Sequence, residues 1–117
     1  MKQLVLASNN SGKLRELAAL LEPFELELRP QSAFSTPEID EPHPTFVENA
    51  LAKARHAARV SGLPALADDS GLCVGALAGA PGVHSAYYAG EPRSDERNNV
   101  RLLEQLKDVT DRRAHYV

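Results

Sequence analysis

Leu4-Val5-Leu6-Ala7, followed at once by Ser8-Asn9-Asn10-Ser11-Gly12-Lys13, is a short apolar run that breaks into a polar turn and then into a helical pattern. Four consecutive apolar residues bounded by turn formers read as a buried strand. Leu14, Leu17, Leu20 and Leu21 recur at helical spacing behind it, with Lys13, Arg15 and Glu16 on other faces, and Pro23 stops the helix. Phe24, Leu26 and Leu28 then alternate with Glu25 and Glu27, the period of a half-buried strand.

Working outward, the chain after Arg29 carries Pro30, Pro37, Pro42 and Pro44 and is acidic around Glu38, Asp40 and Glu41. A connection this long in a compact domain is expected to be either functional or mobile. Thr45 and Glu48 have the spacing of a capping box, which opens a helix to about Ser61. Its apolar face is Phe46, Ala50, Leu51, Ala54, Ala57 and Ala58, and Gly62 and Pro64 close it. Ala65-Leu66-Ala67 reads as a short buried strand that ends in Asp68-Asp69-Ser70-Gly71. Leu72 to Ala78 looks extended, Gly79 to Pro92 is punctuated by glycine and proline, and Asp95 to Lys107 reads as a third helix. That helix is expected to turn Val100, Leu102, Leu103 and Leu106 inward, and His115-Tyr116-Val117 begins a further strand. Strand, helix, strand, helix, strand is the order of an α/β fold.

The 117 residues suffice for one domain, and 43% hydrophobic with 25% charged residues is an ordinary globular composition. A net charge of −3 argues against polymeric nucleic acid as a partner, although a few placed lysines can still bind a small phosphorylated ligand. One cysteine, Cys73, excludes an internal disulfide and suits a reducing compartment. The N-terminal apolar run is too short for a signal peptide, and no stretch approaches the ~20 apolar residues that cross a bilayer. The expected setting is the cytoplasm, away from membranes.

Three segments have the residue types for chemistry. Ser8 to Lys13 lies between a strand and a helix N-terminus, where unpaired N–H groups and the helix dipole favour an anion. Ser8, Asn9, Asn10 and Ser11 add hydrogen-bonding side chains, Gly12 permits close approach, and Lys13 adds a cation. A capped turn with a solvated lysine explains the same residues, and the Walker A spacing is missing. Asp68 and Asp69 place two carboxylates after a buried strand, which suits Mg²⁺ or, alternatively, an Asx turn. Asn49 and Lys53 share one helix face, where Lys53 either reaches a ligand or is simply solvated, and Glu48 is the partner of Thr45. The four histidines show no metal-ligand spacing, and Cys73 reads as a core residue.

Together these segments resemble the inosine triphosphate pyrophosphatase family. The matching pieces are Leu6 to Lys13 with Glu16-Leu17, Thr45 to Ala50 with Lys53-Ala54, Ala67 to Leu72, Gly79 to Val83, and Ser85-Ala86. The resemblance implies an elongated α/β fold around a central, mixed, twisted sheet with flanking helices, of which residues 1–117 form the N-terminal part. It implies hydrolysis of a purine nucleoside triphosphate (ITP, dITP or XTP) to monophosphate and pyrophosphate, cleansing the nucleotide pool. Ser8, Asn9, Asn10, Ser11, Gly12, Lys13 and Lys53 would hold the triphosphate and Ser70 would contact substrate. Glu41, Asp68 and Asp69 would hold Mg²⁺, with Asp69 the proton acceptor, in a homodimer. Two departures stand out. Tyr87 replaces the arginine of the common Ser-Ala-Arg-Tyr, and relatives continue past Val117 with Phe-Gly-Tyr-Asp and Ser-His-Arg segments that read the base. Ending inside a strand, the chain is expected to be truncated.

Overall fold

The computed structural model describes residues 2–34 and 43–117. Glu38, Asp40 and Glu41 therefore lie outside the described residues. The chain divides into two compact units, Met1–Asp68 and Asp69–Val117.

In the first unit β1 (Lys2–Leu6) is the middle strand of a parallel sheet, flanked by β2 (Leu26–Pro30) and β3 (Ala65–Leu66). Leu4 lies opposite Leu28, and Val5 opposite both Arg29 and Ala65. The Val5 and Ala7 amides donate to Pro64 and Leu66, each at 2.9 Å. This position explains the unbroken apolar run, because a middle parallel strand has neither an open edge nor a wet face. Val5, Leu6 and Ala7 are buried accordingly.

Helix α1 (Ser11–Leu21) carries the chain from β1 to β2, and α2 (Phe46–Ser61) leads into β3. Asn10 caps α1 by accepting from the Lys13 amide at 3.0 Å. Leu14, Leu17 and Leu21 are half-buried, but Leu20 is exposed. Successive helical residues point about 100° apart, so Leu21 takes the inner position and Leu20 cannot. Pro23 enters a 3-10 turn, Glu22–Phe24, that ends on Glu25 at φ 57°. This left-handed residue breaks the alternation read from the sequence. The strand starts at Leu26, and Phe24, expected on its inner face, is left exposed.

The capping box at α2 closes differently from the standard form. The Thr45 hydroxyl accepts from the Glu48 amide at 3.3 Å and donates to Glu48 Oε1 at 2.7 Å, so the carboxylate meets the side chain of its partner. Gly62 ends the helix at φ 73°, donating to Ala58. Ala57 packs with Val5 and Ala7, and Phe34, Leu63, Ala65 and Ala67 close around them. Leu51, expected in the core, is exposed, whereas Asn49 is fully buried. The inner line of α2 runs Asn49, Lys53, Ala57 at four-residue spacing, and Leu51 falls off it. Asn49 Oδ1 accepts from the His43 amide at 3.0 Å and its Nδ2 donates to the His43 carbonyl at 3.1 Å, tying down the chain ahead of the helix.

The second unit holds an antiparallel pair, β4 (Leu72–Val74) with β5 (Ala114–Tyr116), and α3 (Asp95–Gln105). The expected extension to Ala78 stops at Val74. A 3-10 turn over Gly75–Leu77 and positive φ at Ala78 and Gly79 fold the chain back, with the Gly79 amide donating to Val74. Cys73 is half-buried on β4. Ahead of β5, the Arg113 guanidinium bonded to Asp111 holds that carboxyl below its ordinary value. Ser94 caps α3 through the Arg97 amide. The inner line of α3 is Asn98, Leu102, Leu106, so Val100 and Leu103, expected inside, are exposed. Asn98 accepts from the Ala89 amide and donates to the Ser85 and Ala86 carbonyls, holding the turn between them. The α/β class read from element order is the class observed.

Asn49→Ala should lower the unfolding free energy by about 2 kcal/mol, since it leaves two backbone groups of His43 unpaired. The exposed cap change Thr45→Ala should cost about 1 kcal/mol. Urea unfolding of both variants checks the order. Equal midpoints for Asn49→Ala and wild type would remove the tie from the account of stability.

Candidate functional site

The order β2-β1-β3 follows from two crossovers that run in opposite directions along the sheet, one from β1 through α1 to β2 and one from β2 through α2 back past β1 to β3. In open parallel sheets a ligand crevice forms at the carboxyl ends of the strands where the order reverses, and here that point is between β1 and β3. The residues leaving β1 there are Ser8, Asn9 and Asn10, and those leaving β3 are Ala67 and Asp68.

Lys13, in the first turn of α1, donates from Nζ to Asp68 Oδ2 at 2.5 Å. The Lys13 side chain is 28% exposed and that of Asp68 44%, so the pair is half-sheltered and open to a ligand. Two segments singled out separately in the sequence thus meet in one contact 55 residues apart in the chain. Asp69 begins the second unit, where it is half-buried.

The loop before α1 divides its side chains between two tasks. Ser8 Oγ accepts from the Asn10 amide at 3.1 Å, and Asn10 Oδ1 accepts from Lys13, so these two shape the turn. The capped-turn reading is therefore true of them. Asn9, Ser11 and Gly12 are exposed, and the first amides of α1 have no carbonyl behind them to accept. A Cβ on Gly12 would stand 3.4 Å from Asn10 Oδ1, an ordinary contact that leaves the cap in place. No acidic residue stands in the first turn of α1 to oppose an anion. Lys53 is half-buried on α2. In the second unit, Ser70 Oγ lies 3.0 Å from the Tyr116 hydroxyl, and Tyr87 is exposed in the 3-10 turn Gly82–Tyr87.

Sequence reasoning missed Gln31, which is buried just past β2 and donates from Nε2 to Asn9 Oδ1 at 2.9 Å. A polar residue at the carboxyl end of a parallel strand, where ligands gather, was the available signal. It also missed the clasp role of Asn98 and the contact of Tyr116 with Ser70.

Among the described residues no three His, Cys, Asp or Glu side chains gather as a ready-made metal cage. Asp68 offers hard carboxylate oxygen beside an anion-favouring loop. That donor set fits Mg²⁺, which keeps several waters and takes one or two carboxylates together with substrate phosphates. No helix among the described residues is long and apolar enough to cross a membrane.

The chain matches the Ham1 family over residues 4–117. It is 68% identical over 114 residues to a dITP/XTP pyrophosphatase of Aromatoleum aromaticum, covering 97% of this chain and 58% of that protein. It is 64% identical over 116 residues to a dITP/XTP pyrophosphatase of Nitrosomonas europaea, covering 99% and 57%. Among solved structures, a HAM1 protein from Coxiella burnetii is similar at a TM-score of 0.89 and 50% identity, over 99% of this chain and 60% of that one. The chain thus spans somewhat over half the length of the relatives it matches.

The contact between Lys13 and Asp68 should show in a double-mutant cycle of Lys13→Ala and Asp68→Ala as a coupling of about 1 kcal/mol. Added salt should reduce it, because both groups are partly in water. Zero coupling at low salt would mean that the pair is not formed in solution.

Proposed function

The chain belongs to the Ham1 family, and on that premise we propose that its protein hydrolyses non-canonical purine nucleoside triphosphates (dITP, XTP and ITP) to monophosphate and pyrophosphate. The observation that carries the reading is the Lys13–Asp68 contact at the reversal of strand order, which brings an ammonium and a carboxylate to the mouth of a helix N-terminus. That combination suits a ligand that is itself an anion accompanied by a cation. The relatives' names supply the reaction and the bases.

In this reading the exposed amides of α1, Asn9, Ser11 and Lys13 grip the phosphates, and Lys53 adds a second positive charge. Asp69 accepts a proton from the water that attacks the α-phosphorus. The bond from that phosphorus to the bridging oxygen breaks, and pyrophosphate leaves with the electron pair. Asp68, Asp69 and Glu41 would hold Mg²⁺, which supplies charge neutralisation on the phosphates when bound. Ser70 contacts substrate, with Tyr116 beside it. Nucleotide-pool cleansing, a cytoplasmic setting and a homodimer complete the reading, supported by the family resemblance.

The test is pyrophosphate release by the protein of complete reading frame, with Mg²⁺, from dITP, XTP, dATP and dGTP. Preference for dITP and XTP is expected; equal turnover of all four overturns the substrate assignment. Asp69→Asn should lower kcat by roughly 10²–10⁴-fold while melting stays within a few degrees. It keeps the side chain's shape and removes its basic oxygen. A variant that kept a tenth or more of wild-type kcat would take Asp69 out of the proton-accepting role.

A further inference from the structure

Gln31 is one of three buried polar side chains among the described residues, and its Nε2 donates to Asn9 Oδ1 at 2.9 Å. A carboxamide is two-ended, with an accepting oxygen on one branch and two donor hydrogens on the other. With Oδ1 engaged by Gln31, the Asn9 NH₂ lies on the opposite branch, and Asn9 is exposed. Among the described residues nothing accepts from that NH₂. Were the amide turned over, its oxygen would face the same direction and repel an anion. Asn10 Oδ1 is engaged within the loop itself, by the Lys13 amide, whereas the Asn9 amide is oriented from outside the loop, by Gln31.

We propose that Gln31 is a positioning residue, which fixes the Asn9 carboxamide with its NH₂ toward the phosphates of the bound substrate. This rests on the reading that the Ser8–Lys13 loop grips a triphosphate. Gln31 itself touches no substrate. Its effect passes through Asn9, and it therefore disappears when Asn9 is removed. A Gln31 that merely fills the core would act on stability and leave that dependence absent.

Inorganic tripolyphosphate is the probe, because it reads the phosphate loop without the base. Calorimetry at fixed Mg²⁺ on the protein of complete reading frame gives Kd for wild type, Lys13→Ala, Asn9→Ala, Gln31→Met and the double variant Asn9→Ala/Gln31→Met. Asn9→Ala should weaken binding about tenfold, the scale of one hydrogen bond to a charged group. Gln31→Met keeps the volume and removes the donor, and should give a several-fold loss on its own but none in the Asn9→Ala background. Gln31→Glu is a second route if the methionine variant does not fold. An ionised carboxylate can only accept, so it should turn the Asn9 oxygen outward, weakening binding more than Gln31→Met does, with the excess again smaller once Asn9 is alanine. A Gln31→Met loss of equal size with and without Asn9 overturns the proposal, as does no loss at all. Wild-type affinity in both Lys13→Ala and Asn9→Ala would instead overturn the phosphate-loop reading, and the proposal with it.

Discussion

A buried carboxamide must have its donor and its acceptor ends satisfied, or it costs more than it contributes. The described residues contain three buried polar side chains, and all three are of this kind: Gln31, Asn49 and Asn98. Each is bonded to a segment outside the α-helices and strands. Gln31 holds Asn9, Asn49 holds both backbone groups of His43, and Asn98 holds the backbone from Ser85 to Ala89. Loops have few repeating backbone bonds of their own, so a side chain with donors and acceptors at fixed geometry can set a conformation that hydrophobic contact cannot. The helices and strands bury area; the amides decide where the connecting chain goes.

The parallel sheet gives that arrangement its purpose. β1 is short and buried, and its carboxyl end delivers the Ser8–Asn10 loop beside the residues that leave β3. Lys13 and Asp68 meet there because the strand order reverses at β1, not because they are near in sequence. With no ligand, each charge is the other's counter-ion, which spares the half-sheltered position an uncompensated charge. An anion approaching Lys13 competes with Asp68, and a cation approaching Asp68 competes with Lys13. A ligand carrying both charges meets both demands at once.

What the sequence disclosed follows from this division. Strand β1, the cap at Thr45 and the glycine stop at Gly62 were legible, because each depends on residues within one turn of the feature. The α/β class followed from the order of elements. The inner faces of the helices were less so. Leu20, Leu51, Val100 and Leu103 are apolar and exposed, while Asn49 and Asn98 are polar and buried. Periodicity ranks residues by polarity, and an amide bonded at both ends is hidden at small cost, so such a ranking misplaces it. Phe24 failed for another reason: a single left-handed residue, Glu25, reset the register of the strand behind it. The candidate loop and the aspartate pair were visible as residue types. That Lys13 reaches Asp68, and that Ser8 and Asn10 serve the turn, depended on contacts no local window contains.

This difference separates two kinds of site residue. Lys13 and Asp68 carry formal charge and announce themselves in any reading of composition. Asn9 carries none, and its usefulness to an anion depends wholly on which end of its amide faces out. Charge is a property of the residue type, but orientation is a property of the neighbour that enforces it, and here the neighbour is buried and comes from the end of a different strand. A loop can therefore keep every residue of its motif and still have the outward end of an amide decided by Gln31, outside the motif altogether.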